Sequence, residues 1–341
     1  MKKIIFSIMA LACIFLFSNL TLEKEEQVVA GDMPVAGVLK KLGDQPAPHL
    51  PRTDVKNVSV ENGREIVLYG RAKSPHGGKS ERVSKHFVCT SCHNIERDEP
   101  DLSKDDPLAR LKYVNEKGLP FLQGSALYGI VDRRSFYNGD YKKKYGDLVE
   151  PARYNLREAI QLCATECSQG RLLEDWELES VLSYLWTIGL KMGDLNLTDA
   201  DLNKINKALE GGGKKDGAVQ LIKSKYRQGF PATFIDPPAD RKKGFSTKAD
   251  METGKLIYEL SCLHCHEGKR YSFFNLDKSS LSFKFLNKHL RGYGRYSIYQ
   301  VVRYGTPPVP WKKAYMPHYT KEKMSKQMLE DLRFYIEQKA K

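Results

Sequence analysis

Two five-residue segments carry side chains whose types and spacing can do chemistry. Residues 89–93 read C-T-S-C-H and residues 262–266 read C-L-H-C-H, so both have the pattern C-x-x-C-H. In this pattern the two cysteine sulfurs bond covalently to the edge of a porphyrin, and the histidine binds its iron. The sequence therefore predicts two covalently bound haem c groups, attached and ligated by Cys89, Cys92, His93, Cys262, Cys265 and His266.

A zinc site or a pair of disulfides is the competing interpretation of these four cysteines. One zinc ion would be saturated by four thiolates. The histidine after each cysteine pair would then have no role, and this would happen twice. Haem attachment accounts for all six residues and is therefore preferred.

The N-terminus has the features of an export signal. Met1, Lys2 and Lys3 precede an almost wholly apolar run over residues 4–22, as in a secretory signal peptide. Covalent haem attachment happens outside the cytoplasm, so we expect a periplasmic protein and assign residues 1–30 to the signal. The run is also long enough to span a bilayer. A retained N-terminal anchor is therefore the alternative, and only then would the protein contact a membrane.

The composition of the chain indicates which classes of binding partner to expect. The chain has 341 residues and a formal net charge of +13, which the four propionates of two haems would reduce. The remaining positive charge predicts acidic redox partner proteins or a small anionic substrate. Nucleic acid is not expected as a partner of an exported haem protein, so the run of three lysines at residues 142–144 is not interpreted as a nucleic-acid patch.

Each half of the chain has the same order of predicted elements. A helix comes before the haem motif (residues 62–69 and 250–260), and an amphipathic helix closes the half (174–188 and 325–338). This order resembles the class I cytochrome c domain, in which the first and last helices cross and loops wrap the haem. The resemblance implies a mostly α protein with two such domains, each wrapping one covalently bound haem. The predicted parts are a signal (1–30), an extended lead-in (31–58), domain 1 (59–195), a linker with a short helix at 197–209 (196–245) and domain 2 (246–341).

The second iron ligand in domain 2 is predicted from its position before the closing helix. Met316 precedes Pro317 there, where class I cytochromes c carry their distal methionine, so we expect Met316 to bind the iron of haem 2. A neutral thioether ligand favours Fe(II) and raises the reduction potential. The alternatives are His318 or Met324 as ligand, or Met316 as a core residue.

Domain 1 lacks a methionine at the corresponding place. The two closing helices align at an offset of 151 residues, which carries Met316 back to position 165. No other His or Met occurs between His93 and Met192, but Cys163 and Cys167 flank position 165. The iron of haem 1 is therefore expected to have a cysteine ligand, another weaker ligand or an open site. Two other interpretations are a disulfide between the two cysteines and an upstream histidine ligand, which would be His49, His76 or His86.

Two class I domains, the first with His/Cys and the second with His/Met ligation, resemble the dihaem thiosulfate dehydrogenases. They are more distantly similar to the haem-thiolate subunit of sulfur-oxidising cytochromes. The local match is A-I-Q-L-C at residues 159–163, with Gly170 seven residues after the cysteine. The resemblance implies that Cys163 binds the iron of haem 1, and that it is the catalytic residue if the protein is an enzyme.

The sequence departs from the family after that cysteine. The family pattern resembles C-x-x-R-S-x-N-G, but here Glu166, Cys167 and Gln169 take the place of its Arg, Ser and Asn. A carboxylate near a dianion is unfavourable, which disfavours thiosulfate unless another cation compensates. The candidates for that cation are Arg133, Arg134, Arg153 and Arg171.

Two functions are compatible with these residues. The first is a dihaem electron carrier in which a lower-potential haem 1 passes electrons to haem 2. The alternative is a periplasmic haem-dependent oxidoreductase, similar to thiosulfate dehydrogenase, that acts on a small sulfur-containing anion at haem 1.

Overall fold

The computed structural model describes residues 29–45, 48–306 and 316–341. The predicted signal run and residues 307–315, just before Met316, lie outside the described residues. Within the described ranges the chain forms helices, turns and two isolated β-bridges but no strand, which confirms the predicted mostly α class. No helix in these ranges has both the length and the apolar character needed to cross a membrane.

Fourteen α-helices occur in the described ranges. In chain order they are α1 Val35–Lys41, α2 Val60–Tyr69, α3 Pro107–Lys117, α4 Tyr141–Tyr145, α5 Val149–Ala152, α6 Leu156–Leu162, α7 Asp175–Thr187, α8 Asp199–Leu209, α9 Lys215–Ser224, α10 Met251–Ile257, α11 Leu263–His266, α12 Ser280–Leu290, α13 Ile298–Tyr304 and α14 Lys326–Lys339. Two π-turns continue α6 and α10, at Cys163–Cys167 and Tyr258–Cys262. We call residues 59–195 unit 1 and residues 246–341 unit 2.

Two helix pairs cross at a glycine. In unit 1, α2 packs against α7 so closely that a Cβ on Gly63 would lie 1.9 Å from the carbonyl oxygen of Ser180. In unit 2, α10 packs against α14, and a Cβ on Gly254 would lie 2.1 Å from the carbonyl oxygen of Asp331. Ser180 and Asp331 are 151 residues apart, which is the offset at which the sequence aligned the two closing helices.

Ser180 and Asp331 also connect each helix pair by a hydrogen bond. The backbone N–H of Ser59 donates to the Ser180 hydroxyl oxygen (3.1 Å), and the backbone N–H of Asp250 donates to Asp331 Oδ1 (2.8 Å). Ser59 and Asp250 are also the N-caps of α2 and α10. The start of each first helix is thus attached to the middle of its closing helix, which fixes the crossing point.

One hydrophobic core contains residues of both the predicted lead-in and the predicted linker. Val35, Val38 and Leu39 of α1 are buried with apolar residues of α8 and α9. The prediction that the lead-in is extended is therefore wrong for residues 35–41, because their apolar side chains lie on one helical face and pack on the linker helices. The linker holds two helices rather than the one predicted at 197–209.

Unit 2 does not have a core of its own. Leu111 and Val114 of α3, together with Phe121, are buried in the hydrophobic core of unit 2, although their positions fall in predicted domain 1. The backbone N–H of Phe121 donates to the carbonyl oxygen of Leu260 (2.9 Å). The predicted boundaries therefore do not separate two independent cores.

Candidate functional site

The first motif presents its histidine in a form that can bind a metal. Residues Cys89–Ser91 form a 3₁₀ turn, and the backbone N–H of His93 donates to the Cys89 carbonyl (3.1 Å). The ring atom Nδ1 of His93 lies 2.7 Å from the carbonyl oxygen of Ser125. A carbonyl can only accept, so Nδ1 carries the proton and Nε2 keeps its lone pair for a metal.

Gly124 makes room for that histidine ring. A Cβ at position 124 would lie 2.4 Å from His93 Nδ1 and 2.6 Å from the Cys92 carbonyl oxygen. Both distances are far below a normal contact, so any larger residue would displace the ring. Gly124 therefore sets the orientation of the predicted iron ligand.

A cavity of about 260 Å³ brings the predicted residues of haem 1 together. Its lining includes Cys89, Cys92 and His93 from the motif and Cys163 and Cys167 from the π-turn. Apolar side chains make much of the remaining wall, among them Ile66, Val67, Phe87, Leu127, Val181 and Leu185. An apolar cavity lined by two cysteines of a C-x-x-C-H motif, a histidine with a free Nε2 lone pair and a thiol pair has side chains that could attach and ligate a c-type haem.

The two thiols of the π-turn differ in acidity. The Cys163 thiol donates a hydrogen bond to Cys167, and the hydroxyls of Tyr145 and Tyr137 lie 3.4 and 3.5 Å from the Cys167 sulfur. The hydrogen bond from Cys163 is the main cause that lowers the pKa of Cys167 to about 6, and the tyrosines and the Lys144 charge add to it. The pKa of Cys163 is raised by the same hydrogen bond and by burial. Both sulfurs are free thiols, and no disulfide joins them.

The three upstream histidines are not among the residues that line this cavity in the described part of the chain. His49 is buried against Phe136 and Trp186, and its Nε2 donates to the carbonyl oxygen of Val131 (2.7 Å). The ring of His86 lies against Phe273 of unit 2. The structure thus brings Cys163 and Cys167, but none of His49, His76 and His86, to the cavity that the first C-x-x-C-H motif lines.

His318 lies in a place that the sequence did not indicate. It was an alternative ligand for haem 2, yet with Pro317 it lines the cavity of unit 1. Its Nδ1 lies 2.6 Å from the ammonium nitrogen of Lys144, and its ring packs edge-on against Phe234 and Tyr141. Unit 2 therefore closes one side of the unit 1 cavity.

The second motif begins at the last residue of a π-turn. Tyr258–Cys262 form that turn, and Leu263–His266 form the short helix α11. His266 is buried with its ring centroid 4.4 Å from that of Phe274. Burial lowers the pKa of His266 to about 4, so the imidazole is neutral at pH 7 and can bind a metal.

Met316 stands at the start of a segment that is held by a buried arginine. The Met316 N–H donates to the Thr306 hydroxyl oxygen (3.0 Å). The guanidinium of Arg303 donates to the carbonyl oxygens of Tyr319, Thr320, Met324 and Ser325. Met324 is itself buried in the core of unit 2. Arg303 therefore fixes the chain just after the predicted iron ligand.

The two attachment motifs touch each other. The ring of His264, inside the second motif, lies next to the backbone of Thr90, inside the first. The pKa of Cys92 is raised mainly by burial and also by the nearby thiol of Cys265 in the second motif. The attachment edges predicted for the two haems are therefore neighbours across the boundary between the units.

Several residues of the site could not be found from the motifs. Tyr137, Tyr145 and Lys144 beside the thiols fall in the basic, aromatic stretch from Arg133 to Tyr145, whose composition was the only signal. Gly124 and Lys323 gave no signal, because their roles depend on loops that approach each other in space.

No family model, curated protein or solved structure was found to match this chain. Among the described residues, no three His, Cys, Asp or Glu side chains converge on a point where they could hold one metal ion. The competing zinc interpretation requires such a group. A c-type haem needs two cysteines for its thioether bonds and an iron ligand, and the lining of the unit 1 cavity includes Cys89, Cys92, His93 and the two further thiols.

Proposed function

We propose that the protein is an exported, periplasmic dihaem c-type cytochrome that transfers electrons. Haem 1 would be held by Cys89 and Cys92 and haem 2 by Cys262 and Cys265. The observation that carries the proposal is the unit 1 cavity, whose lining combines the first C-x-x-C-H motif, with the Nε2 lone pair of His93 free, and the thiol pair. The repeated helix crossing supports two cytochrome c domains, although their cores are shared.

The proposed ligands differ between the sites. His93 and Cys163 would bind the iron of haem 1, with Cys167 as the alternative thiolate, and His266 and Met316 would bind that of haem 2. An anionic thiolate favours Fe(III), whereas a thioether favours Fe(II). When bound, the haems supply one-electron chemistry, and this difference directs electrons from unit 1 to unit 2. The contact between His264 and Thr90 supports a short path.

An exposed surface beside His266 suits an acidic redox partner. Phe273, Phe274 and Phe285 are 48%, 42% and 51% exposed, and Phe274 packs on the His266 ring. Over residues 269–296 the chain has seven Lys and Arg but a single acidic residue, Asp277. Apolar rings within a positive rim favour acidic redox proteins and speed their association at low salt.

The axial ligand of haem 1 is tested by spectroscopy on two cysteine variants. We expect a low-spin thiolate EPR signal in the oxidised protein that is lost in Cys163→Ala and kept in Cys167→Ala. The low-potential step of a redox titration should move upward in the first variant only. Loss of the signal only in Cys167→Ala would transfer the ligand role to the more acidic thiol. A signal that survives in both variants and in Cys163→Ala/Cys167→Ala would exclude cysteine ligation.

A second candidate function is an oxidoreductase that acts on a small sulfur-containing anion at haem 1. The observation that favours it is the placement of Lys144 and His318 beside the thiol pair, since a cation and an imidazole there could hold an anion. Mixing the holoprotein with each of four anions and recording the haem absorbance separates the two functions. Thiosulfate, sulfite and nitrite are electron donors and are added to the oxidised protein, whereas tetrathionate is an electron acceptor and is added to the reduced protein. A change of haem redox state with one of these anions that Cys163→Ala abolishes would identify an enzyme. An unchanged spectrum with all four would identify a carrier.

A further inference from the structure

Three cations surround one aromatic ring where unit 1 meets unit 2. The charged groups of Arg227, Arg133 and Lys323 lie 4.0, 4.3 and 4.7 Å from the ring centre of Phe230. Cation–π contacts orient such groups but do not neutralise them. The charge of each cation must therefore be balanced by an anion nearby.

Two of these cations have carboxylate partners. Arg227 pairs with Glu99 and Asp105, and the Lys323 ammonium donates to Glu99 Oε1 (2.9 Å). Glu99 also lies 4.0 Å from Arg110 Nε, so this one carboxylate is shared among three cations. It therefore does not fully neutralise the charge of Lys323, whose pKa is lowered by burial and by the nearby arginines.

Arg133 has no such partner. Its guanidinium donates to the carbonyl oxygen of Ala126 (3.0 Å), and no carboxylate oxygen among the described residues lies within 4.0 Å of it. The side chain is buried, with 8% of the residue exposed. Burial lowers the pKa of Arg133 to about 10, so it is still a cation at pH 7. A buried, unpaired cation is strongly unfavourable unless an anion joins it.

Arg133 and Lys323 both line the cavity that His93 also lines. The charge of each acts on the His93 ring. The other charged groups around Arg133 are Asp98 and Asp132. The missing anion therefore belongs inside the cavity, on the side of the proximal histidine.

We propose that Arg133 and Lys323 bind the propionate carboxylates of haem 1. This inference rests on the proposed function, since it requires a haem at Cys89 and Cys92. One cation comes from each unit, so the cofactor would join unit 1 to unit 2. Two cations near the iron favour Fe(II), so they would partly offset the effect of the thiolate on the potential.

The test compares adjacent arginines in the holoprotein. Arg133→Gln and Arg134→Gln make the same change in net charge, but Arg134 lies outside the cavity lining and pairs with Asp44 (3.5 Å). The midpoint potential of haem 1 is measured at pH 7.5 by spectroelectrochemical titration, without added anions. We expect a lower potential in Arg133→Gln, a nearly wild-type potential in Arg133→Lys, and no shift in Arg134→Gln.

A second pair of variants covers the case in which Arg133→Gln does not fold. Lys323→Met should also lower the potential of haem 1, whereas Lys321→Met, at an exposed lysine nearby, should not. Equal potentials in the cavity variants and their controls would overturn the proposal. So would a shift that appears only after thiosulfate is added, because the anion would then be a substrate. A wild-type protein without haem at Cys89 and Cys92 would contradict the proposed function as well, whereas equal potentials at an attached haem would contradict only this inference.

Discussion

The Cys163 and Cys167 sulfurs share one wall of the unit 1 cavity but have different surroundings. Cys167 receives hydrogen bonds from Cys163 and lies near two tyrosine hydroxyls, so its negative charge is stabilised by the protein. A thiolate with several hydrogen bonds donates less electron density to an iron. Of the two, Cys163 would therefore be the stronger donor once an iron takes the place of its proton.

At haem 2, Met316→Ala should open the sixth coordination position and lower the potential of that haem, because the thioether that favours Fe(II) is lost. Haem 1 should change little. The measurement is the thioether-to-iron charge-transfer band at the red end of the oxidised spectrum, together with a redox titration. Met324→Leu, a change in the buried core methionine, is the control and should keep the band. A band that survives Met316→Ala would exclude Met316 as ligand.

Asp132 makes the stability of the protein depend on pH. Burial raises the pKa of its carboxyl to about 6, against the opposing hydrogen bond from the Leu190 N–H. The folded state therefore holds a proton that the unfolded chain releases near pH 4, and this stabilisation is lost as the pH rises through about 6. Asp132→Asn keeps an acceptor for Leu190, and its free energy of unfolding should rise relative to that of the wild type by about 2 kcal/mol from pH 4.5 to pH 7.5.

Urea unfolding at the two pH values measures this gain. Asp32→Asn, at an exposed carboxylate, is the control and should show the same difference from the wild type at both. If Asp132→Asn behaves in the same way as the control, Asp132 is ionised in the folded protein.

At the scale of elements, the two helix crossings depend on Gly63 and Gly254. A methyl group at either position would meet a carbonyl oxygen at about 2 Å, so the helices would have to separate. We expect Gly63→Ala and Gly254→Ala each to destabilise the protein by about 3 kcal/mol or more. Gly217→Ala in α9 is the control, since its nearest neighbour would be the Lys214 Cβ at 3.8 Å. It should be stabilising by about 0.5 to 1 kcal/mol.

The midpoint of chemical denaturation gives all three values. A crossing variant as stable as the wild type would show that the helices do not approach as described. Such a result for Gly254→Ala alone would show that only the helices of unit 1 cross this closely.

The sequence predicted the helices whose apolar stripe and cap coincide. Thr198 and Ser325, each directly before an apolar repeat, are the N-caps of α8 and α14. Helix α3 was not predicted, although Asp106 caps it and Gly118 ends it. Short helices that pack on a distant part of the chain have weak periodicity, because much of their stability comes from that contact.

For the site, the sequence singled out the two C-x-x-C-H motifs and the thiol pair, and the structure places the first motif and the thiol pair on one cavity. The sequence could not place His318, Arg133 or Lys323 on the same cavity, since this requires the packing of unit 2 on unit 1. Nor could it distinguish the acidities of Cys163 and Cys167, which depend on the hydroxyls of residues about 20 to 30 positions upstream.

At the scale of the whole molecule, each unit contributes residues to the core or the cavity of the other. Helix α3 lies in the core of unit 2, and residues of unit 2 close the cavity of unit 1. The two motifs touch at His264 and Thr90. This arrangement holds the two proposed cofactor sites at a fixed separation, as internal electron transfer requires.

Counting covalent haems on the intact protein tests the central claim most directly. Wild-type protein exported by a host that attaches haem c should show two haem additions in its intact mass and should stain for haem after denaturing electrophoresis. Cys89→Ala/Cys92→Ala and Cys262→Ala/Cys265→Ala should each retain one addition. Cys163→Ala/Cys167→Ala is the matched control, because it removes two thiols of the same cavity outside the motifs, and it should retain both. A variant without either cysteine of a motif that still carries two covalent haems, or a wild-type protein that carries none, would contradict the account.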